Sequence, residues 1–135
     1  MAQTVKVLTI REPWVSLIKA GKKHIETRSW KTNYRGTLYI HTGLVKINRK
    51  DSKVKEALKL LPTEEFSYGR IVLKCKLVDC IYMDKEYIKD IKENKEEYIC
   101  GLYEEGRYAW ILDDVKLISN PIKAKGKLNL WNFTF

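Results

Sequence analysis

Cysteine is scarce in this 135-residue chain, and its three copies, Cys75, Cys80 and Cys100, lack the close pairs of a zinc knuckle or a redox dithiol. An odd count without paired spacing excludes a disulfide framework and predicts free thiols in a reducing, cytoplasmic compartment. There are only two histidines, neither beside a Cys or Asp at ligand spacing, so no metal and no other cofactor is expected. Three prolines and seven glycines exclude collagenous and low-complexity chains. The opening MAQTVKVLTIREPW is broken by Lys6 and Arg11, and no apolar run approaches the roughly 20 residues that span a bilayer, so neither export nor membrane insertion is expected. Repeats, linkers and breaks in composition are absent too, which predicts one domain over residues 1–135, with a monomer as the simplest state.

Charge of one sign is plentiful. The chain holds 26 basic and 17 acidic residues, a formal charge of +9. Residues 1–50 carry eleven Lys or Arg against Glu12 and Glu26, so this first third already holds the whole excess. Folded onto one side, such a segment makes a positive field that attracts polyanions. A merely soluble basic surface is the plainer alternative.

Alternation of apolar and polar residues predicts strands over Val5–Ile10, His24–Arg28, Thr37–Thr42, Arg70–Tyr82, Tyr108–Leu112 and Val115–Ile118, with a last strand or turn within PIKAKGKLNLW. In Arg70–Tyr82, Ile71, Leu73, Cys75 and Leu77 share the face to be buried. A first helix begins with Pro13 at its first position and ends at Gly21, with Trp14, Leu17 and Ile18 inward. Asp51–Leu61 has helical spacing through Val54, Ala57, Leu58 and Leu61, stopped by Pro62. Asp84–Tyr98 is charge-dense and reads as a surface helix or lid. Short strands with two or three helices predict a compact α+β barrel.

Four segments in order resemble the ASCH family. The first, TIREPWVSLIKAGKKHIETRSW, holds a Pro-Trp helix and a Gly-x-Lys-x-x-Glu-x-Arg return strand: Gly21, Lys23, Glu26 and Arg28. YRGTLYIH, YGRIVLKCKLVDC and GRYAWILDDVKLISNPIKAKGKLNLW follow. The resemblance implies a PUA-like mixed barrel of five or six strands with two or three flanking helices, and the first helix beside a cleft. It also implies RNA binding, in some relatives with a modified base taken into the cleft. Certain short relatives are amidohydrolases on an acylated cytidine, using a Lys, a Thr and a Glu, and ribonuclease activity also occurs. Here the position of the nucleophilic Thr, three after the Lys, is Glu26, and Thr27 next to it points to the other face of a strand.

The leading expectation is an RNA- or nucleotide-binding module, with a hydrolase and a protein-interaction adaptor as rivals. Lys23 and Glu26 are the candidate catalytic proton-transfer partners, although a lysine acts as a base only where burial or a neighbouring cation brings its pKa down. An ion pair is the structural alternative. Arg28 and Arg35 offer the planar fork suited to phosphate, and Lys31 a backbone contact. Trp14, Tyr39 and Tyr108 are candidate stacking platforms, although large aromatics more often fill cores. His41, on the strand face of Tyr39, is a candidate base-edge donor.

Overall fold

The computed structural model describes residues 2–135. Six strands make one mixed sheet: β1 Thr4–Ile10, β2 Ile25–Arg28, β3 Gly36–Thr42, β4 Arg70–Tyr82, β5 Tyr108–Lys123 and β6 Leu130–Thr134. Their order is β2-β5-β4-β3-β1-β6, parallel only between β1 and β3, and the sheet curls into a half-barrel. Two strands of the sequence reading are one: β5 runs through Leu112–Val115, with Asp114 at φ 51° where its pairing with β4 shifts.

Helices α1 Trp14–Lys19, α2 Ser52–Leu58, α3 Lys85–Ile91 and α4 Lys95–Ile99 flank the sheet, four where the sequence predicts two or three. The extra one arises because the charged segment 84–98 holds two caps. Asp84 accepts from the Tyr87 amide and Asn94 from the Glu97 amide, so each starts its own short helix. Pro13 stands one place earlier than expected, at the N-cap of α1, after a cis bond from Glu12. The capping group is the buried Glu12 carboxylate, which accepts from the Ser16 amide and hydroxyl, both at 2.8 Å. Gly21 follows the helix at φ +75°, the left-handed conformation its place predicts.

The main core joins Leu8 and Ile10 of β1, Val15 and Ile18 of α1, Leu38 and Ile40 of β3, and Leu73, Cys75 and Leu77 of β4. A second cluster gathers Val5, Val7, Tyr39, Ile71 and Trp131. Ile71 therefore leaves the set expected for β4. The pairing of β3 with β4 shifts between Ile40 and His41, so the strand does not keep one alternation throughout.

Two features position the site. The β6 pairing ends at Leu8↔Leu130, leaving Thr9 and Ile10 beyond it, and β2 pairs only with β5. The chain from β1 through α1 to β2 then closes around the gap, which the Arg28 guanidinium crosses to donate to the Thr9 carbonyl at 2.8 Å.

Candidate nucleic-acid interface

The gap opens as a cavity of about 880 Å³. Lys23 is 1% exposed at its floor, with Nζ donating to the Ile25 and Cys100 carbonyls, each at 2.5 Å, and 3.5 Å from Glu26 Oε1. Two of the three ammonium protons are thus placed on carbonyls, and Glu26 is held by charge rather than by a hydrogen bond. Glu26, also buried, pairs through Oε2 with Arg28 Nη2 at 2.9 Å. One carboxylate thus lies between two cations, a geometry that offsets the cost of burying Lys23 and Glu26.

The β2 entrance is held from α4. Glu97, 3% exposed, accepts from the His24 amide at 2.9 Å, the Ile25 amide at 3.1 Å and His24 Nδ1 at 2.8 Å. Carbonyls at the end of α4 face two lysines: Cys100 accepts from Lys23, and Gly101 from Lys53 of α2. Burial pushes the Lys53 ammonium below its ordinary range, and the nearby Lys23 charge adds to the effect.

His41 faces the same cavity from β3 and is 1% exposed. Its Nε2 lies 2.7 Å from the Ala124 carbonyl, which can only accept. Its Nδ1 lies 3.1 Å from Thr9 Oγ1, which itself accepts from Trp131 Nε1 at 3.0 Å. The direction is set from both ends: indole N–H to threonine hydroxyl, hydroxyl to Nδ1, Nε2–H to carbonyl. That tautomer is neutral, and burial pushes the His41 pKa down while the Ala124 bond opposes the shift. A group depressed in the folded state takes up its proton more readily when unfolded, so stability is full above the unfolded value of roughly 6.5 and falls as pH drops below it. Urea unfolding between pH 5 and 8 should show this loss, at most about 1.4 kcal/mol per pH unit, and His41→Gln should flatten it. An unchanged profile in the variant would remove His41 as its source.

Ala124–Asn129 forms a strap over His41, and Gly126 is its point of closest approach. A Cβ there would meet His41 Cε1 at 2.9 Å and Thr9 Oγ1 at 3.1 Å. Lys125 and Lys127 flank it and, with Arg11, line the cavity; among the described residues none of the three has a carboxylate within ion-pair distance. Arg107 adds a further cation, its guanidinium donating to the Leu102 and Thr27 carbonyls. Apolar side chains share the rim: Leu128 is 88% and Leu44 71% exposed.

Of the residues singled out by sequence, Trp14, Lys23, Glu26, Arg28 and His41 line this one cavity. The other four lie outside its lining. Tyr39 is buried in the second cluster, Tyr108 packs edge-on against Tyr82, Lys31 is exposed elsewhere, and Arg35 pairs with Asp79 at 3.6 Å. Trp30, Arg11, Lys53, Arg107, Lys125 and Lys127 are members that the sequence reading did not single out for the site. Trp30 carried a signal, since it directly follows the motif strand. The cations of the later chain carried none in the charge count, because residues 51–135 as a whole balance fifteen basic against fifteen acidic side chains. Of the eleven basic residues in the first 50, only Arg11, Lys23 and Arg28 reach the cavity.

Among the described residues no helix is long and apolar enough to cross a membrane, and no three His, Cys, Asp or Glu side chains cluster to hold a metal ion.

A curled mixed sheet with its first helix beside a cationic cleft is a PUA-like α+β architecture. The family model of the ASCH domain matches residues 8–122, and the chain belongs to that family, whose members generally bind RNA. It is 30% identical over 105 residues to human Activating signal cointegrator 1, covering 69% of this chain, and the mouse protein of that name matches equally. The chain spans 18% of the length of these relatives.

Proposed function

We propose that the protein binds RNA, or a nucleotide with a normal or modified base, in the cleft between α1, β2 and the Ala124–Asn129 strap. The observation that carries this reading is the make-up of the wall: seven Lys or Arg side chains against one carboxylate, beside the partly exposed indoles of Trp14 and Trp30. Indoles offer a stacking surface to any base, and cations without acidic partners offer contacts to phosphate. The phosphate role falls to Arg11, Lys125 and Lys127 rather than to Arg28 or Arg35, whose guanidiniums already hold protein oxygens.

Hydrolysis through Lys23 and Glu26 has less to support it. Lys23 donates to two carbonyls and ion-pairs with a carboxylate, and the Thr27 hydroxyl oxygen accepts from the Leu102 amide.

Filter binding of a single-stranded RNA decamer across a salt series tests the proposal. Affinity should fall steeply with salt, and the double variant Lys125→Glu/Lys127→Glu should bind at least tenfold more weakly. Its log–log slope should be shallower by about 1.4, the loss of two phosphate contacts on a single strand. Salt-independent binding, or a variant equal to the parent, would count against it.

A further inference from the structure

We infer that Glu26 is the acceptor that reads the pairing edge of an inserted nucleobase, so that the ligand is an unpaired nucleotide entering base first. This rests on the proposal that the cleft takes a nucleotide. Among the described residues Glu26 is the only carboxylate in the cavity wall, where every other charged side chain is Lys or Arg. An ionised phosphate oxygen and a carboxylate oxygen both only accept, so the part of the ligand that meets Glu26 is a part that carries N–H groups.

The two carboxylate oxygens differ in occupation. Oε2 forms a close ion pair with Arg28 Nη2 at 2.9 Å, whereas Oε1 stands 3.5 Å from Lys23 Nζ and, among the described residues, accepts no hydrogen bond. A carboxylate oxygen with its lone pairs free accepts N–H and cannot donate. The base N–H groups that match are the imino group of uracil or guanine and the exocyclic amine of cytosine or adenine, all on the edge used in pairing. A duplex hides that edge, and its backbone would have to approach the floor together with its bases. Cations without acidic partners, Arg11, Lys125 and Lys127, belong to the strand end and the strap, where the phosphates of a base-first ligand remain. The volume of about 880 Å³ falls within the roughly 300–1,000 Å³ of sites that enclose small ligands, room for a base and its sugar.

The test compares RNA decamers that differ only in the N–H. Oligouridine is set against oligo-N3-methyluridine, and oligocytidine against oligo-N4,N4-dimethylcytidine, by fluorescence anisotropy with the unaltered protein. The methylated strands keep their phosphates and aromatic faces, so stacking and charge are held constant. At least one parent strand should bind tenfold or more tightly than its methylated partner, and annealing it to a complementary strand should abolish the preference. In Glu26→Gln, whose amide oxygen can still face Arg28, the preference should fall below threefold while the salt slope stays unchanged.

Equal binding of every methylated pair by the unaltered protein, with a steep salt slope, overturns base-edge reading by Glu26 and leaves RNA binding intact. Tighter binding of a methylated strand also overturns it, in favour of a pocket for alkylated bases. Absence of binding to any strand removes the nucleotide proposal itself, and the inference with it. Because the methylation comparison needs no variant, poor folding of Glu26→Gln would not blunt the test.

Discussion

Replacing Lys23 by methionine is expected to destabilise the fold by about 3–5 kcal/mol, the range for leaving one partner of a buried ion pair uncompensated. The stem volume is nearly kept, so the loss is electrostatic rather than a cavity. Without the ammonium, the Ile25 and Cys100 carbonyls lose their shared donor and Glu26 keeps only Arg28. Against a total stability of roughly 5–15 kcal/mol this is a large fraction. Urea titration should show the midpoint falling while the slope with denaturant stays constant. Adding Glu26→Gln to the methionine variant should recover part of the loss, because it removes the uncompensated charge. A single variant within about 1 kcal/mol of the parent, or a double variant that is the sum of the two losses, would show that Lys23 and Glu26 do not act as a unit.

The elements were legible where local chemistry decided them. Strand β4 has the predicted bounds Arg70–Tyr82, and Gly21 stands just past the end of α1 in the left-handed conformation expected of it. The motif strand was legible for the same reason: alternation puts Glu26 and Arg28 on one face, and they meet at 2.9 Å. Less legible was anything that depends on distant segments meeting. The face assigned to Ile71 failed at a bulge against β3, which no alternation within β4 can show. Tyr39 and His41 do share a strand face, as alternation predicts: unbroken pairing with Val7 and Thr9 keeps both beside Trp131, and His41, two residues further along, reaches the cavity wall. Net charge located the electropositive third of the chain but not the cleft. Lys53, Arg107, Lys125 and Lys127 come to the cavity from residues 51–135, whose net charge cancels only when summed over the whole stretch.

Glu97 is the residue hidden most completely, and its replacement gives the second large expected effect. It belongs to KENKEEYIC, a charge run that reads as solvated, but it is 3% exposed while Glu96 beside it is exposed. Helix α4 turns this one carboxylate inward to accept two successive main-chain amides, those of His24 and Ile25, at the entrance to β2. Glu97→Ala leaves both amides and His24 Nδ1 without their acceptor and should cost about 3–4 kcal/mol, summing penalties of roughly 1–3 kcal/mol per buried orphan. Glu97→Gln should cost only about 1 kcal/mol. Its amide oxygen, placed where Oε2 lies, still accepts from the His24 amide at 3.0 Å and the Ile25 amide at 3.1 Å. Its NH₂, placed where Oε1 lies, can donate to Nδ1 of a neutral His24. Amide hydrogen exchange at Ile25 reads the difference directly, since protection there should collapse in the alanine variant and persist in the glutamine variant. Equal losses in the two would mean that the charge of Glu97, rather than its capacity to accept, holds the strand that carries Glu26 and Arg28.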